Sequence, residues 1–317
     1  MARLLLALGV TLAVVAQSAG AGVRGGSPVA LVTSEAENQL IAVDLPSGKV
    51  LRRLNLPTDP ENVETTGTTA VVVSPKAGAV TFVDVATLRV RKILRGFGSP
   101  HIAAVTPDGE WVYVTDDARG QLDVIELARM RVVRRVFVGR GAHHMAGGWN
   151  SNRLWIALGE RARTIVVLDT TLFWKPRVLS RFSTTFAAHD LAFSPDQKRV
   201  WVTSDDSPYV TVFSAFSRRP LFRVFGGTAP QHVAFWLGAA YITSGNDGKL
   251  RYVDPRTGKL RRIVATEYGS FNLGLGGSLV LTSSLYRGTL TELDTSGRRL
   301  LQKRLAPSAR DVALGVR

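Results

Sequence analysis

Seven evenly spaced copies of one short strand predict an all-β fold, a seven-bladed β-propeller with four antiparallel strands per blade. The copies are LIAVD ending at Asp44, TFVDV around Asp84, DVIEL around Glu126, VVLD ending at Asp169, VTVFS ending at Ser214, RYVD ending at Asp254 and TELD ending at Asp294. They recur about every 40 residues, the length of a propeller blade. A second observation is that whole units align. PHIAAVTPDGEWVYVT, starting at Pro100, and AHDLAFSPDQKRVWVT, starting at Ala188, match without a gap from His101 and His189 onward. A third is that the two ends of the chain match complementary parts of a unit. DVALGVR at the C-terminus matches only a first strand, and SPVALVTSEAENQLIAVDLPSGKVLRRLNL matches strands two to four. The last blade is therefore expected to close with strands from both termini, which leaves no open edge to slip.

Each element of the unit has a local cause. The first strand is short and built of small apolar residues (IAAV, LAF) that run into a Pro-Asp turn. The second alternates aromatic and β-branched residues (WVYVT, VWVTS), which suits a pleated and buried position. A polar turn leads to the third strand and its terminal acid, and a short turn, often with glycine, leads to the fourth. The rival arrangement, two β-sandwiches, gives no reason for a sevenfold repeat. No linker or shift in composition marks a domain boundary, so residues 22–317 read as one domain.

The first 21 residues read differently. Arg3 precedes an apolar run over residues 4–16, and Ala19-Gly20-Ala21 fits a small-x-small cleavage pattern. The run is short for a bilayer. Residues 1–21 are expected to be a signal peptide, and the mature protein is expected to be exported to the periplasm, cell surface or medium. The rest of the chain has no segment apolar enough to span a membrane. With no cysteine in 317 residues, there is neither a disulfide framework nor a thiol nucleophile.

The units quoted above resemble the YVTN-type propeller repeats of exported bacterial and archaeal proteins, whose unit reads like P-H-G-I-A-V-S-P-D-G-K-x-L-Y-V-T-N followed by V-x-V-I-D. The resemblance covers the mature chain and is strongest in the units starting near His101 and His189. It implies the propeller fold and an exported location. Propellers host many functions, so it implies little about activity.

The repeat also locates the five histidines of the chain. His101, His143 and His189 share one column, and His144 and His232 occupy the next. Read blade by blade, the two columns are Glu61-Asn62, His101-Ile102, His143-His144, His189-Asp190, Gln231-His232, Phe271-Asn272 and Arg310-Asp311. This is where each fourth strand passes to the next innermost strand, so the columns should ring one mouth of the central channel. Adjacent strand residues point to opposite sides. One of His143 and His144, favoured as His143, is thus expected to face the channel, with the other packed toward a neighbouring blade.

Three readings of this belt compete. The side chains could be polar turn residues of the repeat. They could form a site for a small molecule or peptide, using His101, His143, His144, His189, Asp190, His232, Asn62, Asn272 and Asp311. Or they could hold zinc or copper, with His101, His143, His189 and His232 as the ligand set. Converging imidazoles favour the metal, imidazoles standing apart favour an anionic ligand, and rings turned between blades favour the structural reading. The expectation is a binding protein, and the alternative is a metal-dependent lactonase or esterase at the same mouth. No G-x-S-x-G elbow, H-E-x-x-H pair or phosphate loop is present.

The formal net charge of +15 also has a location. The fourth strands read KVLRRLNL, LRVRKIL, MRVVRRVFV, PRVLSRF, RPLFRVF, KLRRIV and RRLLQKRL. Such charges protect exposed edges from pairing with other molecules. They would equally suit adhesion to an anionic cell-surface polymer or lipid headgroups. No nucleic-acid recognition motif accompanies them.

Overall fold

The computed structural model describes residues 26–159 and 163–317. The expected signal peptide lies outside the described residues. The described chain forms seven four-stranded antiparallel sheets, the expected seven-bladed propeller. Closure is also as expected: Val312–Val316 pairs antiparallel with Pro28–Ser34, matching Pro28 to Val316 and Val32 to Val312. The remaining innermost strands are Asn62–Thr65, Pro100–Val105, Ala142–Gly148, Ala188–Phe193, Val233–Trp236 and Gly274–Gly276.

Burial follows position in the blade. Second strands such as Thr69–Ser74 are buried at every residue, because both faces pack on neighbouring blades. This is why TAVVVS and PVALVTS are almost continuously apolar. Fourth strands such as Arg131–Phe137 alternate between exposed and half-buried. The core is divided into layers between blades. One layer joins Val29, Leu31 and Leu40 of the closing blade to Val63, Val72 and Val83 of the next.

The acids that mark the repeat make the turns between third and fourth strands. Asp84 accepts hydrogen bonds from the backbone N–H and hydroxyl of Thr87, both at 2.7 Å. Asp169 does the same with Thr171, at 2.9 and 2.6 Å. These are Asx turns, in which the carboxylate replaces a backbone acceptor. They hold Asp169 at about 2, below its usual value, chiefly through the Thr171 hydroxyl. The arginines beyond them are partly consumed by the same acids, as in Arg177 to Asp169 at 3.0 Å and Arg131 to Glu126 at 2.7 Å. Every blade also carries a β-bulge between its third and fourth strands. Bulges and charges both disfavour edge-to-edge association.

Candidate functional site

The innermost strands surround a channel with a cavity of about 980 Å³. One mouth carries the two polar columns. A threonine near the end of the second strand fixes several of the inner strands there. Thr203 accepts from the Asp190 N–H at 2.8 Å and donates to the Gln231 carbonyl of the next blade at 3.0 Å. Thr115 accepts from the Ile102 N–H at 3.1 Å and donates to the His143 carbonyl at 2.6 Å. Thr33 links Asp311 to Glu61 in the same way, with both distances 3.0 Å. The threonine of VYVT and VWVT thus ties these inner strands to their neighbours and helps set the height of the histidine belt.

All five histidines converge. The rings of His101 and His143 are stacked, with centroids 3.5 Å apart and planes inclined by 13°. His144 lies 5.1 Å from His101, 5.0 Å from His143, 4.3 Å from His189 and 5.2 Å from His232. It is the centre of the cluster. This corrects the expectation that one member of the His143/His144 pair packs away from the channel, since both line the cavity. The reason is a bulge between Ala142 and Met145. An extra residue breaks strict alternation and lets consecutive side chains share a side. The same irregularity recurs between Pro100 and Ala103 and between Ala188 and Leu191. In GRGAHHMAGG, Gly139 and Gly141 have φ of 130° and 75°, values that favour glycine and steer the chain into this bulge.

Each imidazole turns Nδ1 toward a carboxylate. His143 meets Asp117 at 3.0 Å, His232 meets Asp190 at 3.1 Å, and His189 meets Asp205 at 3.3 Å. His144 meets the other oxygen of Asp190 at 3.4 Å, and His101 meets Glu61 at 3.7 Å. The His143 and His232 contacts are hydrogen bonds, and a ring that donates through Nδ1–H carries its lone pair on Nε2, the arrangement that positions histidines for metals. Asp117 and Asp205 were not among the residues singled out in the sequence. Their signal is the acid two residues after the threonine in VYVTDD and VWVTSDD, which reads there as a polar turn.

Electrostatics divide the cluster. Burial, reinforced by the neighbouring imidazoles, holds His101 and His144 well below the usual histidine value of 6.5. They are neutral bases at pH 7. Burial also disfavours the charged forms of Asp190 and His232, yet their mutual attraction outweighs it. Asp190 is held far below the carboxylate range and His232 is raised. Asp190 additionally accepts the Val233 N–H at 3.1 Å, so it anchors two rings and the backbone of the next blade.

The remaining belt residues do other work. Asp311 accepts from the Asn62 side chain at 2.8 Å and from the Val63 N–H at 3.0 Å. Asn62 accepts from the Ala103 N–H at 2.9 Å, and Asn272 donates to the Arg310 carbonyl at 2.9 Å. These three line the cavity while joining blade to blade. Phe271 stacks edge-on to Tyr286, with centroids 5.5 Å apart.

Below the belt the channel wall is formed by small residues such as Ala104, Ala192 and Ala234, and by Glu64. Burial, aided by repulsion from Asp311, pushes the Glu64 carboxyl up to about 7 from 4.5. A folded-state value above the unfolded one means that this group costs no stability below pH 4.5, and that the cost grows as pH rises through about 7. Glu64→Gln should therefore stabilise the protein at pH 8 by up to about 3 kcal/mol and leave it unchanged at pH 4. Chemical denaturation at both pH values measures this. Equal effects at the two would show that Glu64 does not titrate there.

Fold and site together define a seven-bladed β-propeller with a histidine-lined channel mouth. No protein-family model matches the chain, and no curated protein matches it. Among solved structures it is similar to a functionally unknown protein from Desulfotomaculum acetoxidans DSM 771, with 12% identity, 90% of this chain and 98% of that one covered, and a TM-score of 0.78. It is similar to AztD from Citrobacter koseri, with 12% identity, 92% and 98% covered and a TM-score of 0.72. It is also similar to the dihydro-heme d1 dehydrogenase NirN in complex with DHE, with 16% identity, 88% of this chain and 64% of that one covered and a TM-score of 0.66. At these identities the likeness is one of fold. Among the described residues no helix is long and apolar enough to cross a membrane.

Proposed function

We propose that this chain is an exported, YVTN-type propeller that binds a divalent transition metal, zinc or copper, at its histidine-bearing mouth. The observation that carries this reading is the convergence of five imidazoles, each with Nδ1 at a carboxylate. Structural turn residues have no need of such an arrangement. An anionic ligand would meet a mouth already lined by Glu61, Asp117, Asp190 and Asp205. Neutral His101 and His144 are competent ligands at pH 7 without first losing a proton. A metal-dependent lactonase or esterase is the second reading, favoured by the roomy channel beneath the belt, where a substrate could reach a metal-bound water.

Protein stripped of metal, equilibrated with zinc and desalted is expected to retain at least one equivalent by elemental analysis. Retention of none would remove both readings. Retained metal with hydrolysis of lactones or esters would favour the enzyme over the binding protein. The basic outer strands add a further proposed contact, with anionic polymer or lipid headgroups. Its sign would be binding to acidic vesicles at low ionic strength that salt reverses.

A further inference from the structure

The cluster is larger than one metal ion requires, and its composition says what the surplus is for. A tetrahedral site uses at most four protein ligands, whereas five imidazoles meet here. Their ligand nitrogens form two overlapping triads. One is His101, His143 and His144; the other is His144, His189 and His232; within each, the candidate ligand atoms lie within 4.8 Å of one another. The strand Ala142–Gly148 contributes to both triads, but His101 and His143 belong only to the first, His189 and His232 only to the second, and His144 to both.

The backing carboxylates follow the same division. Among the described residues, Glu61 and Asp117 stand behind His101 and His143 on one side, at 3.7 and 3.0 Å, and Asp205 and Asp190 stand behind His189 and His232 on the other, at 3.3 and 3.1 Å.

We infer that the mouth is a two-metal site, with one divalent ion on the His101/His143 side and one on the His189/His232 side, divided by His144. This inference rests on the metal-binding reading above and extends it to stoichiometry. His144 has its Nδ1 at Asp190, so its Nε2 serves one ion at a time. The ion that takes His144 has three imidazoles and the other has two, so the two ions bind unequally, by roughly tenfold or more.

The test is a titration of metal-free protein with Cu(II), followed by electron paramagnetic resonance. Wild type is expected to take up two equivalents in two steps and to show the dipolar broadening of a close copper pair. His101→Ala and His232→Ala are each expected to bind one equivalent, with the uncoupled spectrum of an isolated copper. Melting curves would establish that both variants are folded. If wild type saturates with one equivalent and an isolated spectrum, the two-metal inference is wrong while the metal reading stands. If wild type binds none, both fail. If either variant, still folded, loses both equivalents, the two positions are not separate and the inference is overturned.

Discussion

Removal of residues 308–317 is expected to lower stability by at least about 5 kcal/mol, and most of the loss comes from a single strand. That segment contains Val312, Ala313 and Ala309, exposed by 2%, 8% and 0%. Val312 and Ala309 pack with Val32, Ile41 and Leu281 in one inter-blade layer, and Ala313 packs with Leu31 and Val63 in another. The deletion also removes Asp311, leaving the Val63 N–H and the Asn62 amide without their acceptor, and it strips the innermost strand from Pro28–Ser34. The loss is felt on both sides of the closing blade, because each layer needs a complete sheet on either face. Thermal melting measures the effect, and a shift of about 10 °C or more is expected for a loss of that size. A truncated chain that melts like the intact one would mean that the terminal strand does not hold the ring closed.

The second large effect concerns His144. Replacing it with Ala is expected to weaken zinc binding by roughly 100-fold or more, since this ring belongs to both triads. Asp190→Asn is the informative companion. Asparagine keeps an acceptor for the Val233 N–H but loses the charge that orients His144 and His232, so a weakening of about tenfold is expected with the fold retained. Competition titration against a chromophoric chelator reads both. Unchanged affinity in His144→Ala would place any metal elsewhere on the molecule.

Much of the fold was legible in the sequence because a propeller repeats its local causes. The third-strand acids make Asx turns, the threonines of VYVT and VWVT clamp inner strands, and the complementary ends complete one blade. The belt was legible as two columns for the same reason, and His232, whose column is shifted by one, still joins the cluster 5.2 Å from His144. The orientation of His143 and His144 was not legible. Alternation predicts opposite sides, and a bulge of one residue cancels alternation without leaving a distinctive sequence mark. The role of Asp190 was hidden as well. It orients rings on two blades other than its own, a relation that no spacing along the chain records. Asp117 and Asp205 stood in plain view after the threonines, but an acid in a hairpin turn usually serves the turn.

Metal binding at this mouth is tested most directly by diffraction from crystals soaked in zinc, with data collected on both sides of the zinc absorption edge. An anomalous peak is expected about 2 Å from Nε2 of His144 or of a ring adjoining it, at the mouth bounded by Glu61, Asp117, Asp190 and Asp205. A zinc-soaked crystal with no anomalous density among these five histidines would contradict metal binding at this mouth.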